Sequence, residues 1–346
     1  MEPTLLRILD ANLNRAREGL RVLEEHARMV LDDEAMTATV KSLRHELQRV
    51  ARAIGERRLL AARDIQNDVG TRISIDSERV RRGVDEVAAA AAKRAGEALR
   101  CLEEYLKAVQ PAEAAAVEQL RYRLYAIEQD ALLGAPLRRR LRDARLHVLV
   151  TESLCARPWW DVCERVIDGG ADVIQLREKS LTDRELLGRA ARLRELTSRA
   201  GVLLIINDRA DIARIVCADG VHVGQTDLPV EDARVIVGRQ ALVGVSTHSP
   251  EEAAEALRQA PDYVAAGPLF SSTTKPAVAV QGPALLNSLA GQAAVPLVAI
   301  GGITADRLAQ TPLPPGVQIA VCQAVIGSPD PRQAAEVLKR SMSDKR

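Results

Sequence analysis

Two cationic side chains lie close together in the run Gln175-Leu176-Arg177-Glu178-Lys179. If this run follows a β-strand, alternation places Gln175, Arg177 and Lys179 on one face and Leu176 on the other. Two cations beside an amide can bind a phosphorylated ligand through charge-assisted hydrogen bonds. An ordinary exposed strand end would give the same pattern, so its meaning depends on the segments that follow.

Two carboxylates follow apolar runs farther along the chain. The run 203–206 is followed by Asn207 and Asp208, and residues 221–225 are followed closely by Asp227. Carboxylates opposite Arg and Lys suit Mg²⁺, a hard cation that keeps part of its water and bridges phosphate oxygens. Aspartate is also a favoured helix N-cap, so capping is an alternative for each residue.

A second phosphate site is indicated by the segment 271–275 and by Gly301-Gly302. The segment reads Ser-Ser-Thr-Thr-Lys, and hydroxyls with one lysine can clamp a phosphate. The two glycines let backbone N–H groups approach an anion. Two anion sites facing one cavity imply two phosphorylated small-molecule substrates, or one substrate phosphorylated at both ends.

All of these groups follow short β-rich runs that alternate with amphipathic helices. The predicted strands are Leu146–Thr151, Asp172–Glu178, Val202–Asp208, Gly220–Gln225, Ala241–Thr247, Tyr263–Phe270, Pro296–Gly302 and Val317–Gln323. The predicted helices include Asp183–Arg199, Pro229–Val237, Pro250–Ala260 and Pro331–Met342. Eight βα units in about 200 residues predict an α/β fold, a TIM (β/α)₈ barrel, with its active site at the carboxyl ends of the strands. An open doubly wound sheet is the alternative, but no Gly-x-Gly-x-x-Gly follows the first strand.

The first part of the chain has a different periodicity. Over Thr4–Leu133 the apolar residues recur at helical spacing, interrupted by a loop-like segment at Ala62–Thr71. The helical pattern stops near Pro136. We therefore predict three parts: an all-helical domain over 1–135, a basic linker over 136–145 and the barrel over 146–346.

The helical part contains an internal repeat. Arg15–Glu25 recurs as Arg94–Glu104, with Arg, Ala, Glu, Leu, Arg, Leu, Glu and Glu in register. Charged pairs such as Arg21 and Glu25, four residues apart, predict a solvated helical face. The alternative is that the two copies face each other and pool their charges around an anionic ligand.

The overall composition argues against several classes of protein. The 48 basic and 47 acidic residues give a formal net charge of +1, which provides no broad cationic surface for nucleic acid or anionic membrane. The N-terminus lacks a secretory pattern and no apolar stretch is long enough to span a bilayer, so we predict a cytoplasmic protein. Five scattered cysteines predict neither a zinc site nor disulfides. Formation of a homo-oligomer stays open.

Six motifs, in order along residues 146–342, resemble thiamine-phosphate synthases. They are Gln-Leu-Arg-Glu-Lys at 175–179, Asn-Asp-Arg at 207–209, Ala-Asp-Gly-Val-His-Val-Gly-Gln-Thr-Asp at 218–227, Gly-Val-Ser-Thr-His at 244–248, Gly-Pro-Leu-Phe-Ser-Ser-Thr-Thr-Lys at 267–275 and Ala-Ile-Gly-Gly-Ile at 299–303. The resemblance implies a Mg²⁺-dependent transferase that joins hydroxymethylpyrimidine diphosphate to thiazole phosphate. It also implies a dissociative substitution, in which diphosphate leaves the pyrimidine methylene before the thiazole nitrogen captures the cation.

The resemblance implies a role for individual residues. The pyrimidine diphosphate would be bound by Gln175, Leu176, Arg177, Glu178, Lys179, Asn207, Ser246 and Lys275. Asp208 and Asp227 would hold Mg²⁺. The thiazole phosphate would be bound by Ser272, Thr273, Thr274, Gly302, Cys322 and Gln323. Arg177, Lys179 and Lys275 would be catalytic by stabilising charge on the leaving diphosphate. Gln323 stands where a small serine is expected, and His222 is expected to be a satisfied inward-facing strand residue.

The helical part resembles the all-helical hydroxymethylpyrimidine phosphate kinase that is fused ahead of some thiamine-phosphate synthases. The resembling segments are 14–24, 62–64, 68–71, 93–94 and 97–100. This resemblance implies that the helical part makes the diphosphate that the barrel consumes. Two alternatives remain. The barrel could be a thiazole-phosphate tautomerase that uses His248 and needs no metal, and the helical part could serve only oligomerisation or regulation.

Overall fold

The structure is a computed structural model that describes residues 1–68, 80–271, 280–291 and 293–343. It divides the chain into two compact units, Met1–Pro136 and Leu137–Arg346. In the described part of the chain, no helix is long and apolar enough to cross a lipid bilayer.

The first unit is helical, as its periodicity predicts. Its helices are α1 (Pro3–Met29), α2 (Glu34–Ile54), α3 (Glu56–Ala61), α4 (Val84–Lys107) and α5 (Pro111–Gln129), followed by a π-helical turn at Asp130–Gly134. Asp33 caps α2 by accepting a hydrogen bond from the Met36 N–H at 2.9 Å. Pro111 begins α5, where its missing N–H costs no intrahelical bond. The predicted loop is seen at 62–68, and its last residues, 69–71, lie outside the described residues.

The two copies of the repeat lie on α1 and α4, which pack against each other through small residues. A Cβ added at Gly19 would lie 2.7 Å from the Ala91 carbonyl oxygen and 2.9 Å from the Ala95 Cβ. The close approach of the helices therefore requires glycine at this position. The repeats face each other through an apolar seam that includes Ala16, which is fully buried.

The charged residues of the repeat pair within the helical unit. Arg21 contacts Glu25 at 2.6 Å along its own helix, and Arg100 contacts Glu104 at 2.9 Å along the second. These pairs are half-exposed, as expected for a solvated helical face. The described contacts therefore favour that interpretation over a pooled charge cluster.

The second unit is the predicted TIM barrel. Its strands are β1 (Leu146–Val150), β2 (Val173–Leu176), β3 (Leu203–Asn207), β4 (Gly220–Val223), β5 (Leu242–Thr247), β6 (Tyr263–Ala266), β7 (Leu297–Ile300) and β8 (Gln318–Val321). Each strand pairs in parallel with the next, and β8 pairs with β1 to close the barrel. The predicted strands extend up to four residues too far, because polar residues after the last paired position leave the ladder and form the βα loops.

Helices surround the strands. They are α6 (Ala135–Asp143), α7 (Trp159–Asp168), α8 (Asp183–Ala200), α9 (Ala210–Ile215), α10 (Val230–Val237), α11 (Pro250–Arg258), α12 (Gly282–Leu289), α13 (Ala305–Gln310), α14 (Gln323–Ile326) and α15 (Pro331–Ser343). A short 3₁₀ turn follows β1 at Glu152–Leu154. The large apolar core lies between strands and helices, where residues such as Val148, Ile174 and Leu204 are fully buried.

The basic segment predicted as a linker is part of a helix. Leu141 of α6 is buried with residues such as Val173 and Leu203, which begin their strands and point into the barrel. The Gln318 side-chain N–H donates a hydrogen bond to the Leu141 carbonyl at 2.6 Å. The Gln318 Oε1 atom lies 2.7 Å from Nε2 of His147. The segment therefore closes the amino-terminal end of the barrel, opposite the strand ends that carry the predicted chemistry.

Candidate active site

A cavity of about 410 Å³ lies at the carboxyl ends of the strands. Its lining residues come from the strands and from the loops after them: Leu149, Gln175, Arg177, Asn207, His222, Ser246, His248, Pro268, Ser271, Ile300, Gly301, Gly302, Ile303, Thr304, Arg307, Ala320, Val321, Cys322, Gln323 and Ala324. This is the size and composition of a small-molecule site, with an apolar lining and a few polar groups that converge.

The floor of the cavity is a chain of buried polar side chains. His222 contacts the Tyr263 hydroxyl through Nδ1 at 3.0 Å and the Ser246 hydroxyl through Nε2 at 2.8 Å. Gln175 hydrogen-bonds the same Tyr263 hydroxyl, whose pKa is raised by burial. A side chain at Gly244 would overlap the Tyr263 ring, so the glycine leaves room for that ring in the barrel. The network holds Gln175 and Ser246, both predicted ligands of the pyrimidine, in fixed positions.

Arg177 and Asn207 stand on the wall above this floor. Arg177 follows the last residue of β2, and its backbone N–H donates to the Val150 carbonyl at 2.9 Å. Asn207 is the last residue of β3 and pairs with His222 of β4. Among the described residues, no carboxylate pairs with the Arg177 guanidinium. Its charge is therefore available to an anionic ligand in the cavity.

Asp208 and Asp227 come together at the rim. Asp208 has a φ of 63°, and its backbone N–H donates to the His222 carbonyl at 2.7 Å, which fixes the direction of its side chain. Asp227 accepts a hydrogen bond from the Gly224 N–H at 2.8 Å. Burial raises the pKa of Asp208 and the adjacent Asp227 carboxyl raises it further, whereas the ion pair with Lys179 lowers it.

Asp208 and Asp227 interact with each other, and a cation between two adjacent carboxylates is favourable. The chain supplies one cation itself, because Lys179 forms an ion pair with Asp208. In the described residues, no cluster of three or more His, Cys, Asp and Glu side chains could hold a metal. A metal at this rim would therefore take two protein ligands and complete its shell with water or substrate oxygens, as Mg²⁺ commonly does.

The opposite wall is formed by the loops after β7 and β8. Gly301 and Gly302 have φ values of 101° and 62°, which bring this backbone to the cavity surface without side chains. Cys322 and Gln323 line the same wall. Burial raises the pKa of Cys322 to about 11, so its thiol stays protonated near neutral pH and is not a nucleophile.

Comparison with known proteins assigns this site to a family. The model of the family described as thiamine monophosphate synthase matches residues 146–325, more than half of the chain. The thiamine-phosphate synthase of Synechocystis is 39% identical over 344 residues, which is 99% of this chain and 97% of that protein. The chain belongs to the thiamine-phosphate synthase family.

Other relatives agree with this membership of the thiamine-phosphate synthase family. The thiamine-phosphate synthase of Rhodopirellula baltica is 42% identical over 316 residues, covering 89% of this chain and 84% of that protein. The solved thiamine phosphate pyrophosphorylase of Pyrococcus furiosus is 34% identical, with a TM-score of 0.54, over 59% of this chain and 98% of that one. The chain is therefore an enzyme of thiamine biosynthesis, a transferase, and the resemblance noted from the sequence is confirmed.

The helical unit has a match of its own, since the model of the ThiD2 family matches residues 7–130. The relatives from Synechocystis and Rhodopirellula match along nearly the whole of this chain. Thiamine-phosphate synthases with both regions therefore exist elsewhere.

Not every residue that the family resemblance implies lies in the cavity. Leu176 is buried in the core between strands and helices. The Glu178 carboxylate also points away from the cavity, because it accepts hydrogen bonds from the Glu152 N–H at 2.8 Å and from Arg189 at 3.3 Å. Lys179 lies at the rim with Asp208. Four implied residues lie outside the described residues: Ser272, Thr273, Thr274 and Lys275.

Thr304, Arg307 and Tyr263 are polar residues of this site for which the sequence predicted no role. Thr304 and Arg307 line the wall after β7, and the Tyr263 hydroxyl lies in the floor. Tyr263 begins its strand, where the strand-end rule predicts no function. Arg307 lies within α13. Its guanidinium reaches the cavity only because the loop at Gly301 and Gly302 turns the chain between β7 and α13.

Proposed function

We propose that the barrel condenses hydroxymethylpyrimidine diphosphate with thiazole phosphate, or its carboxylated form, by a Mg²⁺-dependent dissociative substitution. The observation that supports this most strongly is the pair of carboxylates, Asp208 and Asp227, beside Lys179 at the rim of the cavity. A diphosphate bound there would lie within reach of two side-chain cations and of a carboxylate-held metal.

Asp208 and Asp227 would hold the magnesium ion. When bound, Mg²⁺ would neutralise charge on the diphosphate oxygens. Asp208 would then exchange its ion pair with Lys179 for the metal, which frees the Lys179 ammonium to contact the diphosphate. Asp208, whose pKa is already raised by burial and by the adjacent Asp227 carboxyl, gains a counterion in this arrangement.

The chain's own residues would govern the bond changes. The bond between the pyrimidine methylene carbon and the diphosphate oxygen breaks with its electron pair on oxygen, and Arg177 and Lys179 stabilise that charge. Gln175, Asn207 and Ser246 would orient the pyrimidine so that its amino group delocalises the positive charge on the methylene carbon. The thiazole nitrogen then donates its electron pair to that carbon. No general base is required, because no proton is transferred in this step.

Substitution of the carboxylates tests this proposal. We expect Asp208→Asn and Asp227→Asn to lower the rate of diphosphate release about 100-fold or more, and to raise the Mg²⁺ concentration needed for half-maximal rate. The matched control is Asp232→Asn, since Asp232 is an exposed carboxylate on α10. An unchanged Mg²⁺ requirement in both rim variants would contradict the metal assignment.

We propose further that the helical unit phosphorylates hydroxymethylpyrimidine phosphate. The match to the ThiD2 family model over residues 7–130 supports this proposal, together with the segments that resemble the all-helical kinase. The product would be the diphosphate that the barrel consumes, so the two units would perform consecutive steps.

The full chain with Asp208→Asn separates the two steps, because its barrel is expected to leave the diphosphate unused. Incubation with ATP, Mg²⁺ and hydroxymethylpyrimidine phosphate should produce ADP and pyrimidine diphosphate in equal amounts. The same mixture without the pyrimidine measures background hydrolysis of ATP. Absence of ADP above that background would contradict the kinase proposal and favour an oligomerising or regulatory unit.

A further inference from the structure

Arg307 is a cation of the cavity to which the family resemblance gives no role. It lies on α13, which follows the loop after β7, and its side chain is half-buried in the cavity wall. Its guanidinium lies 5.4 Å from the centre of the Phe270 ring, which fixes the plane of the group by a cation–π contact.

The hydrogen bonds of Arg307 leave most of its donors unused. Nη1 donates to the Gly302 carbonyl at 2.5 Å and to the Ser271 carbonyl at 3.3 Å. Within the described residues, Nε and Nη2 donate to no protein acceptor. A guanidinium has five N–H donors in a planar fork that matches the oxygens of a phosphate. The unused donors are therefore suited to an anionic ligand.

The charge of Arg307 is also uncompensated in the described part of the chain, where no carboxylate lies within ion-pair distance of it. Other arginines of the barrel are paired there: Arg234 contacts Asp262 at 2.5 Å and Arg194 contacts Asp219 at 2.7 Å. These pairs join helices to the residues just before β4 and β6, and so lie away from the cavity. A half-buried cation that lines a cavity without a carboxylate partner is favourable when the cavity binds an anion.

The position of Arg307 identifies which anion it would bind. Arg177 follows β2 and Arg307 follows β7, so the two cations stand three strands apart in a closed ring of eight, almost across the cavity. Arg177 lies on the same side as the carboxylate rim, where the proposed function places the diphosphate. Arg307 lies beside the glycine pair, where the loops of this fold commonly bind a second phosphate.

We propose that Arg307 binds the phosphate of the thiazole substrate and makes the enzyme select the phosphorylated thiazole over the free alcohol. Its bonds to Ser271 and Gly302 also hold the loops after β6 and β7 together around that phosphate. This inference rests on the proposed condensation. It differs from that proposal in assigning recognition of the second substrate's phosphate to a side-chain cation, in the wall that also carries the neutral Gln323.

The test compares two substrates and two variants of the full chain. With saturating pyrimidine diphosphate, kcat/KM is measured for thiazole phosphate and for the corresponding thiazole alcohol. We expect Arg307→Met to raise the KM for thiazole phosphate roughly 10- to 100-fold, the loss expected for one charged hydrogen-bonding partner. Use of the alcohol and the KM for pyrimidine diphosphate should stay within about twofold of wild type, since neither depends on this charge.

Arg307→Lys supplies the second comparison, because it keeps the charge and loses the fork. It should recover part of the preference for phosphate that Arg307→Met loses. Arg332→Met is the control, since Arg332 is an exposed arginine paired with Glu336 on α15.

Two results would overturn the inference. If Arg307→Met lowers kcat/KM equally for thiazole phosphate and alcohol, Arg307 is only a positioning residue for the loops after β6 and β7. If the variant keeps its full preference for phosphate, the phosphate is bound by other groups. Both results differ from failure of the proposed function, in which the wild-type chain itself releases no diphosphate from the two substrates.

Discussion

The helical unit and the barrel use the same charged residue types in opposite ways. In the helical unit, the nearly buried Glu24 contacts Arg44 at 2.8 Å, and the buried Glu103 contacts Arg121 at 2.9 Å. Both contacts join one helix of a repeat to the helix that follows it. In the barrel, Arg177 lines the cavity without a carboxylate partner among the described residues.

This difference shows that location decides whether an arginine is structural or functional. An arginine that neutralises a buried carboxylate holds helices together, and its loss leaves an uncompensated charge. Removing an arginine at a strand end costs little stability, but it should weaken the stabilisation of a charged substrate in the site. Substituting a paired arginine of the helical unit should therefore lower stability, whereas substituting Arg177 of the barrel should lower activity.

The largest effect is expected for Arg177→Met. Diphosphate release should fall about 10²- to 10³-fold, because a preorganised donor to the leaving group is lost. The free energy of unfolding should change by less than about 0.5 kcal/mol, since no described carboxylate loses its partner. Tryptophan fluorescence reports unfolding of the barrel, because both tryptophans of the chain, Trp159 and Trp160, lie on α7. A marked loss of stability would make Arg177 structural and remove the contrast.

The next effect is expected for Arg121→Met, with the opposite signature. Burial raises the pKa of Glu103, but hydrogen bonds from Lys107 and Arg121 outweigh it and bring the pKa below its usual value. Loss of Arg121 should destabilise the helical unit by about 3 kcal/mol and leave barrel activity unchanged. Far-UV circular dichroism during urea unfolding measures the loss.

Glu103→Gln on the Arg121→Met background provides the control. It should restore part of the lost stability, because the buried charge is removed together with its partner. If the single variant unfolds at the wild-type urea concentration, the Glu103–Arg121 contact does not hold the helices together.

A pH titration should distinguish two buried groups, His147 in the barrel and Glu103 in the helical unit. Burial lowers the pKa of His147 in the barrel to about 4, against about 6.5 in an unfolded chain. Folding therefore favours the neutral ring, so this contribution is complete above pH 6.5 and is lost as the pH falls towards 4. The loss is about 3 kcal/mol. Glu103 has a lowered pKa, so its contribution is lost only at pH values below about 4.5.

His147 should accordingly weaken the barrel at a higher pH than Glu103 weakens the helical unit. Burial also lowers the pKa of His26 in the helical unit, so the measurement must report the barrel alone. Unfolding followed by tryptophan fluorescence between pH 7 and 4 measures this, and His147→Gln should flatten the profile. A barrel whose stability is constant over this range would show that His147 is charged when folded, in conflict with its complete burial beside Gln318.

Much of the fold follows from local sequence patterns. Every predicted strand of the barrel corresponds to an observed one, because short, nearly continuous apolar runs alternate with longer helical runs. The prediction that 136–145 is a linker was wrong, because its many arginines gave it the composition of an exposed connector. Leu137 and Leu141, four residues apart, are the helical signal that the charges concealed, and Leu141 is buried inside the barrel.

The site is predictable only where function follows the strand ends. That rule predicts Gln175, Arg177 and Ser246 at the cavity, and all three line it. It could not find Tyr263, whose hydroxyl reaches His222 only because a distant glycine leaves room for its ring. It also missed Arg307, because no sequence spacing relates a residue inside α13 to the wall of the cavity.

The smallest effect should follow from changing the exposed charges of the repeat. Arg21 and Arg100 are half-exposed and pair with Glu25 and Glu104 on their own helices, and such pairs stabilise a helix by roughly 0.3–0.5 kcal/mol each. Each also contacts a buried glutamate, Glu24 or Glu103, but these keep Arg44 and Arg121 as partners when the exposed arginines are removed. The double variant Arg21→Ala/Arg100→Ala should thus lose less than about 1 kcal/mol of unfolding free energy. The difference from wild type should shrink at high salt, because salt screens exposed ion pairs. Formation of ADP from ATP and hydroxymethylpyrimidine phosphate should be unaffected. Loss of that activity with unchanged stability would mean that these arginines bind an anionic ligand after all, and that the helical unit, like the barrel, keeps cations for its substrate.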